Sequence, residues 1–303
     1  MTLPEPMVAG QAGQSAIYDL GYRGYDGPRL GRRAAVWALY TTSLRAAWGL
    51  GRSGRSKIVP WGALAFASLS AIVQSAVNAT AGPLASRAGP GVNFDNYIFQ
   101  SSVFVFIFLA AQAPELLGGD QRHRVLALYF AHAMERLDYA AAKLAAMIVS
   151  LLLLCLIPLT ILFLGLTFGS ADLVAGFRDQ LGKVPEIVGV AVIYALVYSA
   201  VGMAIAAFTP RRAYAIGAIV AVFLVGTALP ALVRRAASSI GDWPTLLDIN
   251  ALAEGVRHAL FGGKANGPVA NVSIPDIGYY LTFAAVAVLG YAVYLWRYQR
   301  VQA

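Results

Sequence analysis

Charged residues are scarce in this chain. Asp, Glu, Lys and Arg make up 13% of its 303 residues, whereas soluble domains carry roughly 25%. Hydrophobic residues make up 58%, and the mean hydropathy is +0.64. This composition excludes an ordinary soluble domain and indicates that a lipid bilayer surrounds most of the chain.

Six long stretches lack every ionisable residue. They contain 19 to 29 residues each, and a helix of about 20 residues crosses the hydrocarbon core of a bilayer. The sequence therefore predicts an all-α membrane protein with a single six-span domain over residues 57–303. The predicted spans cover residues 58–81, 96–114, 144–168, 187–209, 213–233 and 277–296.

The same absence limits the chemistry that the spans can carry. Proton relays and metal ligands inside a membrane need ionisable side chains, and the predicted spans contain none. His123, His132 and His258 fall in loops on opposite sides of the predicted spans, so we predict no metal site. The single cysteine, Cys155, has no partner for an internal disulfide. We expect neither a catalytic residue nor a cofactor on this chain.

A glycine-rich segment at residues 49–56 imitates a phosphate-binding loop. It fits the pattern G-x-G-x-x-G, and Arg55 stands where a Walker loop needs lysine. Both motifs require a turn from a strand into a helix, whereas no strand is predicted before this segment and a membrane span follows it. We therefore expect no nucleotide at this segment; if transport by this chain is active, the ATPase, with its ATP and Mg²⁺, is another chain.

Basic residues lie mainly on one side of the predicted spans. If both termini share a side, that side holds 16 Lys and Arg and the other side holds 7. Because cytoplasmic loops carry such an excess, we predict cytoplasmic termini in a plasma membrane, such as a bacterial inner membrane. Anionic lipid headgroups account for the net charge of +8, and no nucleic-acid partner is needed. Residues 1–14 lack a signal-peptide pattern, so the first span is expected to serve as the insertion signal.

Two cytoplasmic segments are predicted before the first span. Residues 1–32 form an arm, in which the Tyr-, Gly- and Asp-rich part at 18–28 receives no chemical assignment. Residues 33–56 form an amphipathic helix in the membrane interface and a linker; the alternative is a helix packed on a soluble partner. The apolar sector of this helix comprises Val36, Trp37, Tyr40, Leu44, Ala47 and Trp48.

The longest predicted cytoplasmic loop joins spans two and three, over residues 118–143. Apolar residues alternate there with charged ones at helical spacing, which favours a docking surface. The residues that we expect to take part are Arg122, His123, Arg124, Leu126, Leu128, Tyr129, His132, Glu135, Arg136 and Asp138.

A further helix is predicted between spans five and six, on the outer side. Ile249, Leu252, Val256 and Leu260 recur at helical spacing. The segment is too short to cross a bilayer, so an interfacial or re-entrant helix is expected.

The predicted spans contain a few uncharged polar residues. The candidates for a substrate pathway are Gln74, Asn78, Gln100, Tyr194 and Tyr198. The alternative is that these side chains only hold neighbouring helices together by hydrogen bonds. Ala213, Gly217 and Ala221 form a stripe of small residues that allows close helix approach, either within this chain or between subunits.

Two local patterns point to a family. Glu135-Arg136-Leu137-Asp138-Tyr139, followed by Lys143, is similar to the Ser-Arg-x-Asp/Glu-Tyr…Gly-Lys stretch of the permease subunits of type-2 ATP-binding-cassette exporters. The segment from Asn250 to Gly263 is similar to their Asn-Pro-Leu…Glu…Arg-Ala-Leu-Leu…Gly stretch. From about Arg33 onwards, the order of the predicted segments also resembles that family.

The resemblance implies how the chain would work. It implies an interfacial helix, a coupling helix near residues 124–132, and short outer helices between the last two spans. It also implies a permease dimer, formed with a second copy or a paralogue, above two ATP-binding-cassette subunits that hydrolyse ATP. The alternatives are a secondary carrier or channel that is not driven by ATP, and a scaffold subunit that transports nothing.

Overall fold

Long apolar stretches of this sequence fold as long helices, because a helix satisfies its own backbone hydrogen bonds. The computed structural model describes residues 27, 30–88, 94–122, 126–130, 134–170, 172–209 and 211–300, and these ranges contain helices and turns but no strand. Most of the predicted arm therefore lies outside the described residues. The α-helices are α1 (Gly31–Ala47), α2 (Gly54–Ala88), α3 (Phe94–Arg122), α4 (Leu126–Phe130), α5 (Arg136–Phe168), α6 (Leu173–Leu181), α7 (Val184–Phe208), α8 (Arg212–Ala236), α9 (Ile249–Phe261) and α10 (Asp276–Gln299).

Six helices in the described part of the chain are long and apolar enough to cross a membrane. They are α2, α3, α5, α7, α8 and α10, and each contains one predicted span, except that α7 ends one residue before the fourth span, at Phe208. This confirms the prediction of an all-helical chain with six membrane-spanning candidates. The architecture is compatible with a multi-pass membrane protein.

Several helices extend beyond the predicted spans. The second predicted span ends at Pro114, yet α3 continues through this proline to Arg122. The third predicted span begins at residue 144, yet α5 begins at Arg136. The charges that limited the predicted spans are paired at the helix ends, Glu115 with Arg52 and Arg212, and Lys143 with Asp120.

The two ends of the bundle are distinct. The α1 end, as we name it, holds α1 and α4, the starts of α2, α5 and α8, and the ends of α3, α7 and α10. Glu115 near the end of α3 forms ion pairs there with Arg52, just before α2, and with Arg212 at the start of α8. The opposite end, the α9 end, holds α6, α9 and the 3₁₀ turns Ser238–Ile240, Trp243–Leu247 and Gly267–Asn271.

Helix α7 lies at the centre of the bundle. It packs against α3, α5, α8, α9 and α10. In its apolar 18-residue stretch 67% is buried, compared with 17% in the corresponding stretch of α10. Small residues allow this close packing: a Cβ at Gly290 of α10 would lie 2.9 Å from the carbonyl oxygen of Ala200 in α7. The outward faces of α2, α8 and α10 are left for lipid or for another protein.

Helix α1 packs on α5 and, less extensively, on α3. Its buried residues Leu39, Ser43 and Ala47 recur every four positions. Trp37 belongs to the predicted apolar sector but is 66% exposed, so that sector faces partly towards the bundle and partly away from it. The position of α1 in the membrane interface stays a prediction.

A helix also lies where the outer segment predicted one. Ile249, Leu252 and Val256 of α9 are buried against the bundle, whereas Leu260 is mostly exposed. The 3₁₀ turn Trp243–Leu247 and Gly226 of α8 pack closely, since a Cβ at Gly226 would lie 3.1 Å from the carbonyl oxygen of Leu247. Helix α6, by contrast, was not predicted from the sequence.

Candidate functional site

The predicted docking loop contains the short helix α4 between α3 and α5. Arg122, Leu126, Tyr129, Glu135, Arg136 and Asp138 have described side chains, and Leu128 has a described backbone. His123, Arg124 and His132 lie outside the described residues. Burial, with Asp120 nearby, raises the pKa of the Tyr129 phenol, so this residue is a neutral hydrogen-bonding group at physiological pH.

Arg32 in α1 holds the start of α5. Its Nε donates to Oδ2 of Asp138 at 2.6 Å, its Nη2 donates to Oδ1 of Asp138 at 2.9 Å, and its Nη1 pairs with Glu135. Oδ2 of Asp138 also accepts a hydrogen bond from the backbone N–H of Glu135, which caps α5. Two of the predicted docking residues are therefore engaged inside the chain, where they fix α5 to α1.

Tyr139 connects the short helix to the rest of the bundle. It is fully buried, and its ring centroid lies 5.5 Å from that of Tyr129 in α4 and 5.4 Å from that of Tyr298 in α10. Tyr298 accepts a hydrogen bond from Gln121, which also donates to the carbonyl oxygen of Ala207 in α7. A force on α4 thus has a packed route to α7 and α10.

A buried ion pair supports Tyr139. The Tyr139 hydroxyl donates to Oδ2 of Asp120 at 2.6 Å, and Nζ of Lys143 lies 2.8 Å from the same oxygen. The Lys143 ammonium also donates to the carbonyl oxygen of Leu116 at 3.0 Å. Because a buried charge must be paired, this arrangement explains why α3 and α5 carry charges at the α1 end.

An open groove of about 440 Å³ lies beside this cluster, lined by Phe130, Met134, Glu135, Arg136 and Leu137. Nη1 of Arg136 donates to the carbonyl oxygen of Gln299, the last residue of α10, at 2.9 Å. The Leu137 side chain is exposed and the Met134 side chain is buried. The groove therefore has an apolar floor, a charged rim and a direct connection to the end of α10.

Three amides form a ladder on α2 and α3. Gln74 donates to Oε1 of Gln100 at 3.4 Å, and Gln100 donates to Oδ1 of Asn96 at 3.0 Å. Gln100 is exposed, although the surrounding surface is largely apolar. Asn78 lies further along α2 and lines a cavity of about 620 Å³ at the α9 end.

The two predicted pathway tyrosines lie elsewhere. Tyr194 and Tyr198 are buried inside the chain, with their ring centroids 5.7 Å apart. The Tyr198 hydroxyl donates to Oδ1 of Asn250 in α9 at 3.4 Å. The structure thus divides the five pathway candidates into exposed amides and core tyrosines.

The small-residue stripe of α8 faces outward. Ala213, Gly217 and Ala221 are all exposed, and no atom lies within 4 Å of the place where a Cβ on Gly217 would stand. Packing inside the chain uses Ala215, Ile219 and Phe223 instead. Of the two predicted uses of the stripe, close packing within this chain is not the one found.

A buried charge cluster in α9 was not predicted. Arg257 donates to both oxygens of Glu254 and to the carbonyl oxygens of Gly262 and Lys264. The Asn266 side chain and backbone N–H both donate to Oε1 of Glu254. The spacing of three residues between an acid and an arginine on one helix is the pattern that could have indicated this pair.

No family among the known protein-family models matches this sequence, and no curated protein is similar enough to be a relative.

Proposed function

We propose that this chain is the membrane-spanning subunit of an ATP-driven exporter, located in the plasma membrane with both termini in the cytoplasm. Two permeases, identical or paralogous, form the pathway, and separate ATP-binding-cassette subunits supply the energy. The observation that carries the proposal is the linkage of the segment around α4 and the start of α5 to α1 through Arg32 and to α10 through Tyr139 and Arg136.

The groove lined by Phe130, Met134, Glu135, Arg136 and Leu137 is the docking site for the ATPase in this proposal. Protein interfaces combine an apolar centre with a polar rim, and the exposed Leu137 lines the groove together with the charged residues Glu135 and Arg136. Movement of the ATPase would press on α4, and the packed tyrosines would transmit the movement to α10.

The substrate pathway lies along the amide ladder of Gln74, Gln100 and Asn96, where two permeases face each other. An exposed amide in hydrocarbon is unfavourable unless it finds a partner, so the ladder favours contact with a polar group or with a second chain. Mostly apolar surroundings favour a hydrophobic or amphipathic substrate, such as a lipid, a drug-like metabolite or a peptide.

Leu137 is a better position than Asp138 for a substitution that tests docking. Charge reversal at Asp138 would break its bonds to Arg32 inside the chain, whereas Leu137 makes no such bond and lines the groove. We expect Leu137→Glu to reduce the amount of ATPase that co-purifies with the tagged chain at least tenfold. Leu260→Glu, on the exposed part of α9 at the opposite end, is the matched control and should retain the ATPase.

Two results would overturn the proposal. The first is recovery of a stable, active chain with no ATPase, together with ion-gradient-driven flux in liposomes without ATP, which identifies a secondary carrier or channel. The second is a chain that shows neither flux nor a bound ATPase, which identifies a scaffold subunit.

A further inference from the structure

A polar cavity of about 530 Å³ lies at the α1 end, separate from the docking groove. Its lining comes from α1, the segment before α2, and from α3, α5 and α8. Four basic and two acidic side chains line it, so its ionisable residues carry a net positive charge. These six are Arg52, Arg122, Lys143, Arg212, Glu115 and Asp120.

Part of this charge is already neutralised. Lys143 is almost fully buried, and it is committed to Asp120 and to the carbonyl oxygen of Leu116. One carboxylate, that of Glu115, then remains for three guanidinium groups in the lining. They belong to Arg52, Arg122 and Arg212.

Glu115 is shared between two of these arginines. Its Oε2 lies 3.0 Å from Nη1 of Arg212, and its Oε1 pairs with Nη1 of Arg52. A guanidinium group has five N–H donors in a planar fork, and these contacts use only one from each arginine. The Arg52 and Arg212 side chains are 40% and 51% exposed, so donors and surplus positive charge are available to the cavity.

An exposed aromatic residue follows each of these two arginines in the sequence. Trp61, in the first turns of α2 after Arg52, is 47% exposed, and its indole N–H donates to the carbonyl oxygen of Trp48. Tyr214, two residues after Arg212, is 64% exposed. Since Trp and Tyr concentrate at the level of the lipid headgroups, the cavity lies at headgroup depth.

We infer that this cavity binds the phosphate group of an anionic phospholipid, with the guanidinium groups of Arg52 and Arg212 as its principal ligands and Arg122 as an additional cation. The arginine fork matches the geometry of phosphate oxygens, and basic pockets between membrane helices bind anionic headgroups. The inference requires a membrane but does not depend on the exporter function. A soluble phosphate offers the same chemistry, so the experiment must distinguish the two sources.

The test uses the purified full-length chain in nanodiscs of phosphatidylcholine that contain a small fraction of tail-labelled phosphatidylglycerol. Energy transfer from the protein's tryptophans to the label reports occupancy. We expect Arg52→Gln and Arg212→Gln each to weaken binding about tenfold, because each removes a charge-assisted hydrogen-bond donor. Arg55→Gln is the matched control, since Arg55 is exposed three residues from Arg52 and does not line the cavity.

A second variant separates a binding role from a structural one. Glu115→Gln removes the carboxylate that competes for the two arginines, so we expect binding of phosphatidylglycerol to become several-fold stronger. Weaker binding in Glu115→Gln, or equal losses in Arg52→Gln and Arg55→Gln, would overturn the inference. Displacement of the label by millimolar inorganic phosphate would identify a soluble anion as the ligand instead, whereas resistance to phosphate identifies the lipid. A thermal unfolding curve for each variant shows whether a loss of binding reflects a loss of fold.

Discussion

Nη2 of Arg257 lies 2.8 Å from Oε1 of Glu254, and neither side chain has any exposed surface. The pair lies on one face of α9. Arg257 also donates to the carbonyl oxygens of Gly262 and Lys264 in the loop that follows, and Asn266 of that loop donates to Glu254. Glu186 at the start of α7 lies 3.7 Å away from the same guanidinium. One buried arginine thus fixes α9, the loop after it and α7 together.

Removal of one member of this pair should destabilise the fold strongly. We expect Arg257→Met to lower the free energy of unfolding by about 3–5 kcal/mol, because it leaves Glu254 buried without its principal counter-charge. Chemical denaturation in detergent, followed by tryptophan fluorescence, measures the change. Arg235→Gln, an exposed arginine at the end of α8, should change stability by less than about 0.5 kcal/mol.

A double variant tests whether charge pairing is the cause. In Glu254→Gln with Arg257→Met, the second change removes the guanidinium that the first one leaves without its nearest carboxylate, so the double variant should lose less than the sum of the two single variants. Strict additivity would show that packing, and not pairing, stabilises this region.

Asp248 should give the fold a pH dependence. Its Oδ1 accepts hydrogen bonds from the backbone N–H groups of Asn250 and Ala251 at the start of α9, at 2.9 and 3.3 Å. Burial raises the pKa of the Asp248 carboxyl above its ordinary value, although the two backbone donors oppose this shift. The Asp248 carboxyl therefore remains protonated in the folded chain at a pH where it has lost its proton in the unfolded chain, whose aspartates have a pKa of about 3.9. Asp248 then contributes stability below its unfolded pKa, and this contribution is lost as the pH rises through its folded pKa.

We expect Asp248→Asn to flatten the dependence of unfolding on pH across this window, because asparagine caps a helix but does not titrate. Unfolding curves from about pH 4 upwards measure the slope. The same substitution at Asp172, the exposed N-cap of α6, controls for a change of charge at a helix cap. An unchanged slope in Asp248→Asn would contradict the assignment.

The six helices that are long and apolar enough to cross a membrane could be predicted because one physical requirement, the exclusion of charge from hydrocarbon, determines most of their extent. The ends of the helices could not be predicted in this way. Glu115 and Lys143, which limit the second and third predicted spans, lie within α3 and α5. Partners well separated in the sequence neutralise them, since Glu115 pairs with Arg52 and Arg212 and Lys143 pairs with Asp120. A rule that ends a span at the first charge therefore makes both helices too short.

The loop around residues 122–138 could be predicted as a charged surface, whereas its connections could not, and its role in docking stays a prediction. The alternation of charges indicated a surface around residues 122–138, and the groove lies there. The sequence could not indicate that Arg32 engages Glu135 and Asp138, or that Tyr139 contacts Tyr298, because the partners come from α1 and α10. Tyr194 and Tyr198 were candidates for the pathway but are buried inside the chain. The sequence does not distinguish the two positions, because an uncharged polar residue in a span can face either a pathway or the core.

Tyr139 should transmit movement without taking part in docking. We expect Tyr139→Leu to leave the co-purified ATPase within twofold of the original amount but to reduce export at least tenfold, because the ring contacts with Tyr129 and Tyr298 are lost. Tyr139→Phe keeps the rings and loses only the hydrogen bond to Asp120, so it should retain more transport. Parallel measurement of bound ATPase and substrate flux separates the two effects, and equal losses of both in Tyr139→Leu would contradict a transmitting role.

The outward stripe of α8 should mark where a second copy of the chain approaches. Gly217 has open space around it and Ala213 and Ala221 flank it on the same face, so a facing helix can come close there. We expect Gly217→Cys to form a disulfide-linked dimer in membranes under mild oxidation, because a close two-fold contact brings the two copies of residue 217 together. Val222→Cys is the matched control, since Val222 is exposed on a different face of the same helix. The native Cys155 is buried and should remain unreactive, so any cross-link reports the introduced cysteine.

Gly217→Leu should then weaken the dimer because the added side chain keeps the helices apart. Equal cross-linking at Gly217→Cys and Val222→Cys would show random collision and would leave α8 facing lipid.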